Sequence, residues 1–465
     1  MVHIMDNFLQ STTRRSVGAL METLGDWQRT HYSKEIKPEM DNQEVILMGF
    51  VRELRDIGKL KFIKLADREG FIQIIAKKEV TLPSTIEMVE KLGREDVIAV
   101  KGTVKENKEA PNGVEIIPID IKILNIAEKP LPLEMETKKT PALLNTRLDQ
   151  RPLDLRKPEN QAIFKIQSKI VEGMQNFLIK KGFLQVFTPS LLGGSSEGGS
   201  DVFAVPYFDK EAFLRQDPQL HRELVIISGF DKIFDLGPNW RAEKSNTIYH
   251  LCEHRGIAPE MGFIRDETDV MRLEEQMVVE SIRFVTENCQ KELEILNKKI
   301  TIPKIPFPEL RFPEIYKILG KLGFKIKDGD DLNREAEEML AGYVKEEYDH
   351  DFFFINRFPF ALKPFYVMKV DDEPKYARSV DLIFKGLEMS SGGQREHRYK
   401  ELMKNVKEKK LDPKNISWFT NFFKYGAPPV GGFCLGIERF TMKLLNLDNI
   451  REATLFARDP ERLFP

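Results

Sequence analysis

Five short runs rich in β-branched and other apolar residues follow one another between residues 44 and 124, and they limit the possible folds more than any other feature. Turn residues separate the runs, as in Arg68-Glu69-Gly70 and Pro111-Asn112-Gly113. Five short strands in about 80 residues are typical of a small closed barrel such as an OB-fold, although a plain β-meander also fits the pattern. The predicted strands cover residues 45–48, 62–65, 71–75, 97–100 and 114–117.

The C-terminal part of the chain has a different organisation, in which strand-like runs alternate with helical periodicity. Apolar residues from Ile163 to Phe177 recur near helical spacing and predict a helix over residues 160–181. Because there is neither a βαβ repeat nor an early phosphate-binding loop, the pattern favours an α+β domain built on an antiparallel sheet flanked by helices. Strands are predicted at residues 224–227, 232–236, 352–355 and 379–384.

Length and charge set limits on organisation and partners. The 465 residues suggest two or three domains. We assign residues 1–28 to an N-terminal extension, 29–127 to the barrel, 128–158 to a linker and 159–465 to the α+β domain. With 71 basic and 73 acidic residues the net charge is -2, so any RNA contact must use local patches rather than an overall basic field.

Cysteine usage and hydropathy bear on the compartment. The three cysteines Cys252, Cys289 and Cys434 lie far apart, which favours a reducing environment over a disulfide framework. The sequence contains no long apolar run and no signal-peptide pattern at its start. We therefore expect a cytoplasmic protein without a membrane partner.

A glycine-rich loop and an Arg-x-Glu pair are the first candidates for chemistry. The loop Gly193-Gly194-Ser195-Ser196-Glu197-Gly198-Gly199 can bring the Glu197 carboxylate close to a small ligand, because glycine admits backbone shapes that other residues resist. If Arg241 ends a strand, Glu243 shares its face, and the planar guanidinium offers paired donors to a phosphate or carboxylate. Taken singly, the loop also fits a surface turn and the pair a surface ion pair.

Two later segments carry further polar groups. Glu388 and Ser391 offer hard oxygen ligands of the kind that Mg²⁺ takes beside nucleotide phosphates, and Arg395 can hold a second anion. A capped turn between a strand and a helix fits this segment equally well. In the segment Gly431-Gly432-Phe433-Cys434-Leu435-Gly436 the glycines allow close backbone approach, and Arg439 would lie in the first turns of a following helix, where a guanidinium can stack on a flat ring.

In this order, the segment ending in Pro189, the Arg241-Ala242-Glu243 segment and the glycine-rich segment with Arg439 resemble the motifs of class II aminoacyl-tRNA synthetases. Within that class the segment from Glu388 to Arg395, the run Arg378-Ser379-Val380-Asp381-Leu382 and residues 449–456 resemble the aspartyl branch of the archaeal and eukaryotic type. The resemblance covers residues 29–465. It implies a ligase that uses ATP and Mg²⁺ to activate aspartate and transfers it to tRNA(Asp), or to both tRNA(Asp) and tRNA(Asn).

The resemblance also implies roles for single residues. Arg241 would be the catalytic residue that binds the carboxylate and the α-phosphate as they join. The residues that bind ATP would be Arg241, Glu243, Tyr249, His250, Leu251, Gly436 and Arg439. Those that bind the amino acid would be Glu197, Gln219, Arg222, Ser391 and Arg395, while Glu388 and Ser391 would coordinate Mg²⁺.

Several positions depart from the family pattern near the implied substrate pocket. The segment Gln-Ser-Pro-Gln-Leu-Tyr-Lys reads here Gln216-Asp217-Pro218-Gln219-Leu220-His221-Arg222, so that arginine replaces a substrate-binding lysine. Ala258 stands where aspartyl enzymes carry an aspartate facing the substrate ammonium, and Tyr249 stands where an arginine usually precedes the histidine. An ammonium without its paired carboxylate would bind more weakly by about 2–5 kcal/mol.

In the barrel the resemblance implies an anticodon site. Phe62 and Gln73 match positions that stack on and hydrogen-bond an anticodon base, with core packing as the alternative for Phe62. Arg52 stands where histidine or tryptophan is usual, and Ala66 where arginine is usual. Pro111 resembles the relaxed form that accepts both aspartate and asparagine tRNAs.

Two further functions are compatible with these departures. One is a paralogue that adenylates another dicarboxylic acid or an aspartate derivative. The other is a catalytically inactive tRNA-binding or regulatory protein. The resemblance also implies a homodimer.

Overall fold

The computed structural model describes residues 21–135, 142–194 and 201–465. The chain divides into two compact units, with the boundary between Glu134 and Met135. Residues 21–28 contain a turn at Gly25-Asp26 and no helix, and the rest of the predicted extension lies outside the described residues. Within the described ranges no helix is long and apolar enough to cross a membrane.

The first unit contains a closed five-stranded barrel. Its strands are β1 (Glu44–Ile57), β2 (Leu60–Asp67), β3 (Gly70–Lys77), β4 (Val97–Glu106) and β5 (Val114–Asn125), with helix α1 (Pro83–Lys91) between β3 and β4. The strands pair in the order β1-β2-β3-β5-β4. Alternate side chains point inward, so that Ile63, Ile74 and Ile116 are fully buried in one apolar cluster. All five predicted strands are confirmed, and the barrel rather than the meander is formed.

The second unit is built on an eight-stranded sheet, beside a small sheet formed by β7, β8 and β9. The strands are β6 (Leu184–Val186), β7 (Leu191–Leu192), β8 (Ala204–Tyr207), β9 (Lys210–Leu214), β10 (Lys232–Trp240), β11 (Glu253–Gly262), β12 (Glu309–Arg311), β13 (Phe352–Asn356), β14 (Ser379–Phe384), β15 (Leu387–Arg395) and β16 (Val430–Gly436). The large sheet has the order β12-β13-β14-β15-β16-β11-β10-β6. Its six central strands are antiparallel, as predicted, whereas β12 and β6 pair in parallel at the two edges.

Helices flank this sheet. They are α2 (Leu144–Asp149), α3 (Arg151–Asp154), α4 (Pro158–Lys180), α5 (Gln219–Ile227), α6 (Glu267–Asn288), α7 (Gln290–Ile295), α8 (Glu314–Lys321), α9 (Arg334–Tyr348), α10 (Tyr399–Glu408), α11 (Ser417–Thr420) and α12 (Ile437–Leu444). The helix predicted over residues 160–181 is confirmed as α4, which buries Ile166, Ile170 and Met174 in the main apolar core. Helix packing thus covers one face of the sheet. A functional site can form on the opposite face.

One predicted strand is wrong. Residues 224–227 form the end of helix α5 and not a strand. The run Leu224-Val225-Ile226-Ile227 has high β-propensity, but Leu220, Glu223 and Ile226 are buried at helical spacing. Tertiary burial of this helix face therefore overrides the local preference, while the predicted strands at 232–236, 352–355 and 379–384 are confirmed.

Candidate active site

One cleft of about 1170 Å³ lies in the second unit. Arg241, Arg395, Arg439 and Glu388 all line it, although they come from well-separated parts of the chain. Further predicted residues that line the same cleft are Gln219, Glu243, Tyr249, His250, Leu251, Ser391 and Gly436. The fold therefore brings together most of the side chains that the resemblance assigns to one site, whereas Glu197 lies outside the described residues.

Arg241 directly follows strand β10 and lies on the open side of the cleft. Its backbone N–H donates to the carbonyl of Cys252, which continues the strand pairing by one residue. The guanidinium Nη1 lies 3.6 Å from Glu243 Oε1, and the Arg241 side chain is 48% exposed. The same Glu243 carboxylate lies 3.6 Å from His250 Nε2. Burial lowers the pKa of His250 although the charge of Glu243 opposes this, and the nearby charges of Arg439 and Arg241 add to the lowering.

Arg439 lies in the first turn of α12, where the preceding glycine segment of β16 ends at Gly436. Its Nη1 donates to the backbone carbonyl of Glu388 at 3.2 Å and lies 3.9 Å from the Glu388 carboxylate. The prediction that Arg439 lies in the first turns of a helix after the glycines is confirmed. The guanidinium is held at the cleft wall by a neighbouring strand.

Glu388 and Ser391 lie on β15 and not on a turn, so the alternative of a capped turn is wrong. Asp381 on β14 pairs with Ser391 across the sheet and accepts a hydrogen bond from it. Burial raises the pKa of Asp381 to about 6, and the Glu388 charge adds to this effect. Burial followed by the Glu388 charge likewise raises the pKa of Glu337 to about 8. Lys363 Nζ lies 3.0 Å from Asp381 and Arg439 lies 3.9 Å from Glu388, so part of this acidic charge is already balanced. The oxygens of Glu388 and Ser391 are of the kind that Mg²⁺ takes, although among the described residues no group of three or more acidic, histidine or cysteine side chains is arranged to hold a metal by itself.

Tyr249 and Leu251 line the cleft but are also held by packing. The guanidinium of Arg334 lies 4.5 Å from the centre of the Tyr249 ring. Leu251 is buried in an apolar cluster with Met442 and Ile450. Both residues are thus fixed in position on the ATP side that the resemblance implies.

A buried hydrogen-bond network forms the other end of the cleft. Arg395 donates from Nε to Glu260 at 3.1 Å and from Nη2 to Gln219 at 2.9 Å and to the carbonyl of Gly432 at 3.0 Å. Gln219 in turn donates to Glu223 and Glu260 at 3.1 and 3.0 Å. Burial and the charge of Glu260 raise the pKa of Glu223 to about 8. Glu223 is therefore protonated at neutral pH.

Arg222 is fully buried, and its guanidinium donates hydrogen bonds to neighbouring groups. Its Nη1 and Nη2 donate to the two carboxylate oxygens of Asp217 at 2.6 and 2.9 Å, and Nη2 also donates to Gln219 at 2.6 Å. Asp217, which the sequence analysis did not select as a site residue, lines the cleft instead. The only sequence signal for it was the replacement of serine by aspartate in the segment Gln216-Asp217-Pro218.

Ala258 lies on β11 opposite Asp235 of β10. The pairing of Ile257 with Leu435 brings Ala258 level with Cys434 on β16. Close by, a Cβ atom on Gly256 would lie 2.6 Å from the Cys434 sulfur, so the glycine makes room for the cysteine. His254 also lines the cleft, and burial together with the charges of Arg241 and Arg439 lowers its pKa to about 3. Sequence reasoning missed His254 because nothing in its local pattern marks it.

In the first unit, Phe62 and Gln73 lie on adjacent strands, where Phe62 pairs with Ile75 and Lys64 with Gln73. The core is formed by the alternate residues, which leaves Phe62 and Gln73 partly exposed on the outer face. Core packing of Phe62 is thus wrong. On the same face the Lys64 ammonium lies 4.4 Å from the centre of the Phe71 ring.

Arg52 and Pro111 occupy different surroundings in that unit. Arg52 lies at a bulge in β1 and forms an ion pair with the buried Glu95. Pro111 is exposed and begins a short 3-10 segment, Pro111–Gly113. Asn112 in this segment donates to the carbonyl of Phe71 at 3.3 Å, which places the Pro111 loop beside the outer face of β3.

Comparison with known proteins agrees with both units. Residues 45–124 match the OB-fold nucleic acid binding domain, and residues 144–460 match tRNA synthetases class II (D, K and N). The Aspartate--tRNA(Asp) ligase of Thermococcus kodakarensis is 44% identical over 94% of this chain and 100% of its own length. The Aspartate--tRNA(Asp/Asn) ligase of Methanocaldococcus jannaschii is 44% identical over 94% of this chain and 99% of its own length.

Solved structures agree as well. The asparaginyl-tRNA synthetase from Pyrococcus horikoshii complexed with asparaginyl-adenylate superposes with a TM-score of 0.87 at 33% identity, over 94% of this chain and 100% of that one. The aspartyl tRNA synthetase from Entamoeba histolytica superposes with a TM-score of 0.84 at 29% identity, over 96% and 94% of the two chains. The chain therefore belongs to the class II tRNA synthetases of the aspartate, lysine and asparagine group, and within it to the aspartate--tRNA ligase family.

Proposed function

We propose that the protein activates aspartate with ATP and transfers the aspartyl group to tRNA(Asp), with tRNA(Asn) as a second acceptor. The observation that carries the proposal is the convergence of Arg241, Arg395, Arg439 and Glu388 on one cleft. In the first step a carboxylate oxygen of aspartate attacks the α-phosphorus of ATP, and pyrophosphate leaves. In the second step the terminal ribose hydroxyl of tRNA attacks the acyl carbon, AMP leaves and the hydroxyl proton is released.

The chain's own residues contribute positioning and charge neutralisation to this reaction, and it needs no dedicated base. Arg241 binds the substrate carboxylate and the α-phosphate, Glu243 and His250 hold ATP, and Arg439 stacks on the adenine ring. Gln219 and Arg395 bind the amino acid. Glu388 and Ser391 would hold Mg²⁺, which supplies neutralisation of phosphate charge when bound.

Isotope exchange tests the first step. With Mg²⁺ and aspartate, the protein should exchange labelled pyrophosphate into ATP, and exchange should be absent without an amino acid. Charging assays with tRNA(Asp) and tRNA(Asn) transcripts then test the second step. Exchange with another dicarboxylic acid but not with aspartate would instead support the paralogue, for which Ala258 is the observation. The relatives from Thermococcus kodakarensis, Methanocaldococcus jannaschii and Methanococcus aeolicus carry ligase names and give the inactive alternative no support.

The outer face of the barrel is the proposed anticodon site. A partly exposed Phe62 beside Gln73 and Lys64 suits stacking on and hydrogen bonding to a splayed base. Because base stacking contributes about 1–3 kcal/mol, Phe62→Ala should raise the KM for tRNA roughly tenfold. Pyrophosphate exchange should stay unchanged, since it needs no tRNA. Ile119→Ala, at an exposed apolar position on β5, is the matched control. An unchanged KM for tRNA in Phe62→Ala would contradict this site.

A homodimer is also proposed. Three apolar side chains near edge strand β6 are strongly exposed: Ile179 (57%), Leu184 (52%) and Phe187 (83%). Clustered exposed apolar side chains are typical of association surfaces, and a twofold dimer would cover them. Sedimentation should give twice the monomer mass, and Phe187→Glu should shift the protein towards the monomer. A wild-type protein that sediments as a monomer would contradict the proposal.

A further inference from the structure

Two successive serines on β15 face opposite sides of the large sheet. Ser391 lines the cleft and donates a hydrogen bond to Asp381 there. Ser390 pairs with Leu382 of β14 and with Leu435 of β16, and both leucines belong to the main apolar core, on the side of the sheet that α4 and α6 cover. The Ser390 hydroxyl therefore points away from the cleft.

Strand β15 contains one extra residue beside the groups proposed to hold Mg²⁺. Its pairing with β14 shifts by one residue between Glu388 and Ser390, so Met389 is the extra residue of a β-bulge. In an unbroken strand, residues three positions apart lie on opposite faces, because side chains alternate. The bulge shifts this alternation and brings Glu388 and Ser391 to the same face, in the cleft.

Glu274 of helix α6 accepts a hydrogen bond from the Ser390 hydroxyl on the helix side of the sheet, and both residues are buried. Burial raises the pKa of Glu274 to about 8, although the hydrogen bond from Ser390 opposes this, so the carboxyl is mostly neutral near pH 7. A buried hydroxyl without a partner costs about 1–3 kcal/mol. Glu274 therefore favours the register in which Ser390, and not Ser391, faces α6.

We propose that Glu274 is a positioning residue for the Mg²⁺ ligands. By binding Ser390 on the helix side, it fixes the bulge that presents both Glu388 and Ser391 to the cleft. An unbulged strand that kept Glu388 in the cleft would turn Ser390 to the cleft and Ser391 to the helices. Because the two serines are identical, their side chains do not distinguish the two registers, whereas the bond to Glu274 does. This inference rests on the proposed function, since it takes Glu388 and Ser391 as the ligands.

Removal of the acceptor tests this role. Glu274→Met keeps the approximate shape of the side chain but loses its oxygens. The Mg²⁺ concentration for half-maximal pyrophosphate exchange should then rise roughly tenfold, the lower end of the range for loss of a group that supports a metal ligand. The KM for aspartate should stay within about twofold, because Arg395 is held separately by Glu260 and Gln219. Glu274→Gln keeps an acceptor oxygen and should retain the wild-type titration.

Calorimetry of ATP binding without aspartate gives a second readout that needs no turnover. Mg²⁺ should tighten ATP binding to the wild type, and Glu274→Met should need roughly tenfold more Mg²⁺ for the same effect. Glu275→Met is the matched control. Glu275 is also buried on α6, but it accepts from the Phe307 N–H at 2.9 Å and from Arg272 at 2.8 Å. This control should lower the thermal midpoint and leave both Mg²⁺ titrations unchanged.

The proposal is overturned if Glu274→Met only loses stability, as Glu275→Met should, while both Mg²⁺ titrations match the wild type. It is also overturned if Glu274→Gln shifts the titrations as far as Glu274→Met does. If Glu274→Met does not fold, Ser390→Ala removes only the donor hydroxyl and should shift both titrations in the same way, and unshifted titrations would overturn the proposal. Absence of aspartate-dependent exchange in the wild type would refute the proposed function instead, and the ATP titrations would still test Glu274.

Discussion

The two ends of the cleft handle charge in opposite ways. At the open end, formed by Arg241 and Arg439, the ion pairs are long, 3.6 Å for Arg241 with Glu243 and 3.9 Å for Arg439 with Glu388, and the Arg439 side chain is 26% exposed. At the closed end, formed by Arg222, Gln219 and Arg395, the hydrogen-bond donors lie 2.6–3.1 Å from their acceptors, and Arg395 is 5% exposed. The first set of guanidinium groups can turn towards a ligand, whereas the second set is held in place.

This difference indicates that the two ends of the cleft have different tasks in ligand binding. Loosely paired, solvated arginines can meet the phosphate charges of ATP with little loss of protein contacts. In the buried network the positive charges of Arg222 and Arg395 are matched by the negative charges of Asp217 and Glu260, while Glu223 is protonated. A matched, rigid network selects a ligand by where its remaining polar atoms point, and breaking one of its pairs leaves an uncompensated buried charge.

The largest loss of activity should follow from a substitution at the open end of the cleft. Arg241→Ala removes the guanidinium that the proposal places at the reacting carboxylate and α-phosphate. We expect kcat/KM for pyrophosphate exchange to fall by about 10²–10³-fold, the range for loss of one donor to developing charge. The thermal midpoint should stay unchanged, because Arg241 is half-exposed. Arg265→Ala, which removes an 84% exposed arginine outside the cleft, is the control. A loss of kcat/KM below tenfold would mean that Arg241 does not take part in the reaction.

A smaller effect should follow from Glu388→Gln. Replacing the carboxylate by an amide weakens the proposed Mg²⁺ site but keeps the strand pairing of β15, so the Mg²⁺ concentration for half-maximal exchange should rise about tenfold or more. Titration of exchange with Mg²⁺ measures this. Glu280→Gln, at a partly exposed position of α6 outside the cleft, should leave the titration unchanged. A fall in activity that saturating Mg²⁺ does not reduce would assign Glu388 to a purely structural role.

The two ends also differ in how far sequence could predict them. Arg241 and Arg439 belong to continuous segments whose strand, glycines and helix are local features. Both residues can therefore be recognised from the sequence around them. The buried network depends on contacts between Gln219, Glu260 and Arg395, which are far apart in the chain and show no common period. The sequence therefore could not indicate that Arg222 forms an ion pair with Asp217, or that Glu223 is protonated. The same long-range burial turned the predicted strand at 224–227 into a helix.

The smallest expected effect is a change in the free energy of unfolding with pH, which tests the charge balance of the closed end. The pKa of Glu223 is about 8 in the folded protein against an ordinary value of 4.5, so between these pH values the folded state holds a proton that the unfolded state has released. Glu223 therefore lowers the free energy of unfolding as pH rises through this window, by up to about 1.4 kcal/mol for each pH unit, and no further above about pH 8.

Glu223→Gln cannot ionise and keeps an oxygen that can accept from Gln219, so the variant should lack this slope. Denaturation midpoints at pH 6 and pH 7 should show the wild type losing up to about 1.4 kcal/mol relative to the variant. Glu172→Gln, at a partly exposed position of α4, should follow the wild type. Parallel curves for Glu223→Gln and wild type would mean that Glu223 is ionised in the folded protein. The closed end would then carry one uncompensated negative charge, because Asp217, Glu260 and Glu223 would face only the two positive charges of Arg222 and Arg395.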